Sequence, residues 1–182
     1  MTATGAEFVI RPATLRDIPA LLGLINAYAA KQIMLPRTEF EMAENIRDFV
    51  VAWENTHLLG CGALHFYTPT SAEIRSLAVD PNRKTNGIGR RIIETLELDA
   101  ENNGLAEIFA FTYVPGFFRK LDYREVDRGE LPLKAWKDCL RCPKFQACDE
   151  IAMLKTLKAL DNQPYRAQRI TSDLIPFPTV RS

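Results

Sequence analysis

Apolar and polar residues recur along the chain with two different periods, and these predict an alternation of strands and helices. A period of two is typical of half-buried strands, and a period of three to four is typical of helices with one buried face. Turns rich in Pro, Gly and Asn separate the runs. The predicted strands are 8–13, 49–54, 58–67, 73–79, 107–111 and 123–126; the predicted helices follow Thr14, cover 39–47, run from Gly87 to about 102 and cover 117–121; a last short strand or helix covers 149–155.

This order of elements predicts one mixed α/β (α+β) domain over residues 1–160. The following stretch, 161–182, contains Pro164, Pro176 and Pro178 and has no clear hydrophobic period. We therefore expect an extended C-terminal tail that packs on the surface of its own chain or of a partner.

Composition and charge exclude several classes of function. The 182 residues carry 23 basic and 23 acidic side chains, so the formal net charge is zero. A neutral chain has no overall attraction for nucleic acid or for an anionic membrane. The sequence contains neither an apolar run of roughly 20 residues nor a recognisable signal peptide. We expect a cytoplasmic protein that binds neither nucleic acid nor membrane.

The segment from Glu73 to Arg91 is the most informative part of the chain. A strand leads into a polar loop, and Gly87 and Gly89 stand at the start of a helix. Unpaired N–H groups at a helix start bind phosphate, and glycines let a ligand approach the backbone closely. The segment lacks the Gly-Lys-Ser/Thr of a Walker loop and the third glycine of a Rossmann fingerprint.

This segment resembles the acetyl-CoA binding motif of the GNAT acetyltransferase superfamily, in which a strand leads to Arg/Gln-x-x-Gly-x-Gly/Ala and a helix. Here the motif reads Lys84-Thr-Asn-Gly87-Ile-Gly89, with Lys in place of Arg or Gln. The resemblance implies a mixed, mostly antiparallel central sheet flanked by helices, with acetyl-CoA bound as cosubstrate at a splayed pair of strands. It implies that the cofactor contacts Leu77, Ala78, Val79, Lys84, Thr85, Asn86, Gly87, Ile88, Gly89 and Arg90.

Three further blocks resemble the short bacterial N-acetylglutamate synthases within this superfamily. They are Glu73-Ile-Arg-Ser-Leu-Ala-Val, Phe117-Phe-Arg-Lys-Leu-x-Tyr, and Leu131-Pro-x-Lys-x-Trp136-Lys-Asp-Cys-x-x-Cys-Pro-Lys-Phe-x-x-Cys-Asp-Glu150. The resemblance implies acetyl transfer to the α-amine of L-glutamate, the first step of arginine biosynthesis. The sequence leaves the oligomeric state open, and a homodimer is one candidate. Two alternatives stay open: a GNAT acetyltransferase for another small amine or a protein amine, and a non-catalytic sensor that binds CoA.

Glu73 and Arg75 are the candidate residues for the acceptor. Attack on a thioester needs a neutral amine, so a base must remove a proton, and Glu73 stands on the strand that meets the thioester in this superfamily. Arg75 shares a strand face with it and could hold a substrate carboxylate. The alternative is an ion pair between the two. Further candidate cations are Arg11, Lys120 and Lys134.

The acid that protonates the leaving thiolate is not identified by the motif. Many superfamily members use a Tyr in the short helix after the fifth strand, and here that position holds Phe118. Phenylalanine cannot donate a proton, so water, Tyr113, Thr112 or another group must serve, or the thiolate leaves unassisted and is protonated later.

The crowded cysteines Cys139, Cys142 and Cys148 admit two interpretations. Cys-x2-Cys matches the spacing of zinc ligands, and Cys61, His65 or Asp149 could complete a set of four. The alternative, which we favour, is that reduced thiols pack an irregular loop and bind no metal.

Overall fold

The structure, a computed structural model, describes residues 8–83, 87–132, 140, 142 and 144–157. Within those residues seven strands form one sheet in the order β1-β2-β3-β4-β5-β7-β6. Neighbouring strands are antiparallel except β4 and β5, which are parallel. The strands are β1 Val9–Pro12, β2 Phe49–Glu54, β3 His57–Thr68, β4 Ser71–Val79, β5 Glu107–Thr112, β6 Arg124–Glu125 and β7 Ile151–Thr156; the helices are α1 Ile18–Ala29, α2 Glu39–Asn45, α3 Ile88–Asn102 and α4 Pro115–Arg119.

Helix α3 covers one face of the sheet and contributes the largest core. The close fit depends on glycine in β3, because a Cβ at Gly62 would lie 2.8 Å from Cγ2 of Ile92. Each fully buried aliphatic side chain stabilises the fold by about 1.5–3 kcal/mol. The predicted buried side of this helix is confirmed: Ile88, Ile92, Ile93 and Leu96 are all buried.

Helices α1 and α2 cover part of the opposite face. Leu21, Ile25 and Met42 are fully buried there against β2 and β3. Cys61 belongs to the same cluster, and burial raises the pKa of its thiol to about 12. This thiol therefore stays protonated and packs as a small apolar side chain.

A capping motif precedes α1. Oδ2 of Asp17 accepts hydrogen bonds from the backbone N of Thr14 at 2.7 Å and from its hydroxyl at 2.9 Å. The motif opens a short 3₁₀ turn, Leu15–Asp17, which leads directly into α1. Asp17 also pairs with Arg11 at 2.8 Å, so Arg11 fixes the start of this helix.

The sequence left the last predicted element, 149–155, open between a strand and a helix, and the structure shows a strand. This strand, β7, lies between β5 and β6. It thereby adds an antiparallel partner to β5 along the whole strand. In the described residues no helix is long and apolar enough to cross a bilayer. The predicted tail 161–182 lies outside the described residues.

Candidate active site

Strands β4 and β5 pair over a short distance only, and this shapes the site. Their register joins Ser71 to Glu107, Ala72 to Ile108 and Glu73 to Phe109. Beyond those positions the described pairing of β4 is with β3, and that of β5 is with β7. The two parallel strands therefore separate after Glu73, and the gap opens at their carboxyl ends.

A β-bulge in β4 changes which side chains face the helices. Ala63 of β3 pairs with Arg75 and Cys61 pairs with Ala78, so β4 has an additional residue at this place. Ser76 lies in the bulge with φ of 54°, a left-handed conformation that is rare for serine. Bulges of this kind redirect side chains beside active sites.

The predicted cofactor segment of β4 follows this bulge directly. Leu77 and Val79 pack on the α3 side, whereas Ala78 packs on the α1 side. The hydroxyl of Tyr28 donates a 2.5 Å hydrogen bond to the carbonyl oxygen of Val79, which ties α1 to the end of this strand. The backbone predicted to meet the cofactor is thus held from both faces of the sheet.

The glycine turn before α3 has the geometry that a phosphate site requires. Gly87 adopts φ of 72° and caps the helix, a conformation in which other residues are strained. A Cβ at Gly89 would lie 3.5 Å from the ring of Phe117, so a larger side chain would meet that ring. The first turn of α3 presents unpaired N–H groups, which suit a pyrophosphate.

Of the remaining predicted cofactor residues, the structure describes Ile88 and Arg90. Ile88 is buried in the core, so only its backbone can serve a ligand. The guanidinium of Arg90 donates to the carbonyl of Lys120 at 3.1 Å and lies 3.5 Å from Glu94. Lys84, Thr85 and Asn86 lie outside the described residues.

Glu73 occupies the last position at which β4 pairs with β5. Its side chain is buried, with 9% of its surface exposed. Oε2 accepts a 2.9 Å hydrogen bond from the hydroxyl of Tyr67 on β3. The carboxylate therefore lies in the sheet at the point where the strands begin to separate.

Arg75 lies beside residues from three other elements. Its Nη2 lies 3.3 Å from Oδ1 of Asn45, 3.0 Å from Nδ1 of His65 and 3.7 Å from Oδ2 of Asp48. The side chain is 12% exposed. The described ion pair of Arg75 is thus with Asp48, which fixes the direction of the guanidinium and offsets part of its charge.

Asp48 was not identified from the sequence, and His65 was considered only as a possible zinc ligand. Nδ1 of His65 lies 2.6 Å from Oδ2 of Asp48. A carboxylate can only accept, so Nδ1 carries the proton, although Arg75 also lies near this nitrogen. His65 is the register partner of Glu73 across β3 and β4, which places it on the same face of the sheet. Pairing the two predicted strands in this register would have identified His65 as a neighbour of Glu73.

The structure shows the surroundings of Phe118 and Thr112, two of the residues considered in the search for the leaving-group acid. Phe118 is buried, and its ring lies 5.3 Å from that of Phe117 and 5.2 Å from that of Tyr123. The hydroxyl of buried Thr112 accepts a 3.0 Å hydrogen bond from the backbone N of Val114.

Tyr113 follows β5 at the end that separates from β4. Its hydroxyl accepts a 3.3 Å hydrogen bond from Nζ of Lys144. Burial raises the pKa of Tyr113, which keeps its phenol protonated at neutral pH. Tyr113 therefore places a protonated phenol one residue beyond the end of β5, and this phenol could donate a proton.

Of the additional candidate cations, the structure describes Arg11 and Lys120. Arg11 is engaged in its bidentate contact with Asp17. Lys120 caps the exposed end of α4, and Lys134 lies outside the described residues.

The cysteine block is covered only in part. Cys142 and Cys148 are free and partly exposed, and the sulfur of Cys148 lies 3.1 Å from a guanidinium nitrogen of Arg128. Over 8–83, 87–132 and the described positions up to 157, no group of three or more His, Cys, Asp or Glu side chains could hold a metal. Cys139 and Trp136 lie outside the described residues, so the thiol-packing interpretation stays a prediction.

Comparison with known families agrees with this geometry. The model of the acetyltransferase (GNAT) family matches residues 22–123, which include the separated strands and the glycine turn. The chain belongs to the GNAT acetyltransferase family. It is an N-acetyltransferase, and acetyl-CoA is its cosubstrate.

Two relatives cover most of the chain. An uncharacterized N-acetyltransferase of Chlorobaculum tepidum is 43% identical over 152 residues, which are 84% of this chain and 98% of the relative. An amino-acid acetyltransferase of Mycobacterium tuberculosis is 35% identical over 137 residues, which are 73% of this chain and 78% of the relative.

Solved structures confirm the predicted fold. The N-acetylglutamate synthase of Neisseria gonorrhoeae, complexed with coenzyme A and N-acetyl-glutamate, superposes with a TM-score of 0.77 at 25% identity. That match covers 84% of this chain, and this chain spans 36% of that synthase. A Mycobacterium tuberculosis protein in complex with CoA gives a TM-score of 0.72 at 28% identity, over 82% of this chain and 99% of that one.

Proposed function

We propose that this N-acetyltransferase acetylates the α-amine of L-glutamate, which would make it the enzyme of the first step of arginine biosynthesis. The observation that carries the proposal is the placement of Glu73, a buried carboxylate at the point where β4 and β5 separate, with Arg75 on the same strand face. Relatives and structural neighbours named amino-acid acetyltransferase or N-acetylglutamate synthase support this acceptor.

Glu73 acts as the general base in this proposal. The α-amine of an amino acid is mostly ammonium at neutral pH, so it must lose a proton before it can attack. Glu73 accepts that proton, directly or through a water molecule. The new C–N bond forms as the C–S bond of the thioester breaks, and the electron pair stays on the thiolate of CoA.

Tyr113 is the proposed source of the proton for the thiolate. Its phenol remains protonated because burial raises the pKa of Tyr113. The neighbouring cation Lys144, 3.3 Å from the phenol oxygen, can stabilise the phenolate that forms after donation. The attacking amine loses its second proton to solvent as the amide forms. When the products leave, Glu73 releases the proton that it accepted, and the Tyr113 phenolate takes up a proton from water.

Arg75 binds one carboxylate of the acceptor in this proposal. Asn45 and Asp48 hold the guanidinium, so it is oriented before substrate arrives. A planar fork in a fixed direction discriminates a carboxylate from an amide or an alkyl group. The cofactor in turn binds through the backbone of Leu77, Ala78 and Val79 and through the turn of Gly87 and Gly89.

An amino-acid panel tests the proposed acceptor. Release of CoA thiol is measured with L-glutamate, L-glutamine, L-aspartate, D-glutamate and a short peptide, and the product is identified by NMR. We expect N-acetylglutamate, with kcat/KM for L-glutamate at least about tenfold above that for L-glutamine, since an amide cannot accept the full charge-assisted contact. Preference for the peptide would show a protein acetyltransferase instead, and CoA binding without turnover of any acceptor would show a sensor.

A further inference from the structure

Tyr67 connects two strands of the site through one hydroxyl group. It projects from β3, and its hydroxyl donates a 2.9 Å hydrogen bond to Oε2 of Glu73 on β4. A carboxylate offers only acceptors, and the phenol of tyrosine can donate, so the direction of this bond is fixed. The bond therefore acts on the charged form of Glu73.

Aromatic contacts on both sides hold the Tyr67 ring. The ring of His65 meets it edge-on, with centroids 5.1 Å apart at 84°. The ring of Phe109 on β5 lies 5.8 Å away at 33°. Such aromatic pairs stabilise the position of a ring beyond the effect of its buried area. The phenol thus has a defined direction toward Glu73.

The His65 ring is itself fixed, since its Nδ1 donates to Asp48 at 2.6 Å. Three strands and the 3₁₀ turn Ile46–Asp48 thereby contribute to the position of a single carboxylate. Support of this kind is what keeps a catalytic side chain within a fraction of an ångström of its working geometry.

We propose that Tyr67 is a positioning residue for the acetyl transfer: its hydroxyl fixes the carboxylate of Glu73 where β4 and β5 separate and stabilises its ionised form. The inference rests on the proposed role of Glu73 as base. Burial alone favours the neutral acid, which cannot accept a proton, and a hydrogen bond to the charged form opposes that effect. Tyr67 thus keeps the buried base ionised.

Other charged groups near Glu73 bear on how the pH dependence is measured. The described titratable or charged groups on this face include His65 and Tyr67 of β3, Arg75 of β4 itself, and Asp48 of the preceding 3₁₀ turn. On β5 the register partner of Glu73 is the uncharged Phe109, and Glu107 lies two residues before it on the same face. Glu73 must therefore be followed directly as well as through the reaction rate.

The test compares Tyr67→Phe with the parent enzyme. The variant keeps the ring and its contacts and removes only the donor. Carbon-13 NMR of protein whose glutamate side chains are isotopically labelled follows the titration of Glu73. In parallel, kcat/KM for the substrate L-glutamate is measured against pH. We expect the pKa of Glu73 and the acidic limb of the profile both to move up by roughly one unit, a tenfold change in the ionisation constant. The KM for acetyl-CoA should stay within twofold.

A tyrosine analogue with a fluorinated ring, placed at position 67, provides a second variant. Its hydroxyl is a stronger donor, so both titrations should move to lower pH. Tyr123→Phe is the matched control, since Tyr123 packs beside Phe118 on the α3 side of the sheet. This control should leave both titrations in place even where it changes stability.

The outcomes separate the inference from the proposed function. Lower thermal stability in Tyr67→Phe with both titrations unmoved would show a merely structural tyrosine and overturn the inference. A shift of Glu73 by NMR with no change in the acidic limb would show that Glu73 is not the base, and the role of Tyr67 in the reaction would fall with it. If Glu73→Gln removes the limb and Tyr67→Phe leaves it in place, the base stands and the inference fails.

Discussion

Asp48 and His65 form a 2.6 Å hydrogen bond between Oδ2 and Nδ1, and the guanidinium of Arg75 lies 3.7 Å from the same carboxylate oxygen. One carboxylate thus fixes both the ring that supports Tyr67 and the cation proposed to bind substrate. The base side and the carboxylate side of the acceptor site are connected through Asp48. Substitutions on the two sides should therefore change different kinetic parameters, although the residues on both sides are connected through this one carboxylate.

Arg75→Lys should weaken the binding of glutamate with little effect on the cofactor. Lysine keeps the charge but loses the planar fork and the reach to Asn45. We expect the KM for glutamate to rise about tenfold while the KM for acetyl-CoA changes less than twofold. Arg124→Lys is the matched control, because Arg124 is exposed and pairs only loosely with Glu130 at 3.7 Å. An unchanged KM for glutamate in Arg75→Lys would reject the carboxylate contact.

Gly89→Val should weaken acetyl-CoA binding by at least about tenfold, or roughly 1.4 kcal/mol. The new side chain would meet Phe117 and Val79, each 3.5 Å from the position of a Cβ, and would push the first turn of α3 away from the ligand. Calorimetry with acetyl-CoA measures the effect.

Gly23→Ala provides the control for a glycine replacement in a helix. Nothing lies within 4 Å of a Cβ at Gly23, so alanine should raise the free energy of unfolding by about 0.5–1 kcal/mol and leave cofactor affinity unchanged. Equal affinity in parent and folded Gly89→Val would show that the pyrophosphate binds elsewhere.

Tyr28→Phe should lower the free energy of unfolding by about 1–2 kcal/mol. The variant keeps the buried ring but removes the 2.5 Å hydrogen bond to the carbonyl of Val79, which then loses a partner at the edge of the core. Urea denaturation followed by circular dichroism measures the change. A midpoint equal to that of the parent would mean that water replaces the hydroxyl without cost.

Asp17→Asn should destabilise the protein at neutral pH but not in acid. The Arg11 guanidinium, opposed by burial and assisted by Thr14, lowers the pKa of Asp17 from 3.8 to about 2. Because the folded value lies below the unfolded one, the stabilisation of about 2 kcal/mol is present above pH 4 and is lost as the pH falls toward 2. Thermal melts of both proteins between pH 7 and pH 2 should therefore converge at the acid end of this range. A gap that stays constant would show that packing, and not charge, carries the effect.

The sequence predicted most of the fold because the hydrophobic period is strong in the elements that form the core. The buried side of α3 followed from Ile88, Ile92, Ile93 and Leu96, and the strand 49–54 matched β2 residue for residue. The period of two also predicted that Glu73 and Arg75 share a face. These features depend on residues close together in the chain.

The supporting residues of the site could not be predicted in the same way. Asp48 meets His65 across 17 positions of sequence, and Arg75 meets Asn45 across 30, so neither contact leaves a local pattern. Ser76 adopts its left-handed conformation because β3 and β4 pair out of step there, and nothing about a serine in a strand indicates that. Neither interpretation of Arg75, as the ligand of a substrate carboxylate or as the ion-pair partner of Glu73, took account of Asp48, for the same reason.

The turnover of Glu73→Gln at saturating substrates tests the central claim most directly. Glutamine keeps the shape of the side chain and can still accept from Tyr67, but it cannot take a proton at working pH. With single-turnover measurements that isolate the chemical step, we predict a rate lower by roughly 10²-fold or more, loss of the acidic limb, and nearly parental affinity for acetyl-CoA. A rate close to that of the parent, with chemistry shown to limit it, would contradict the assignment of Glu73 as the base.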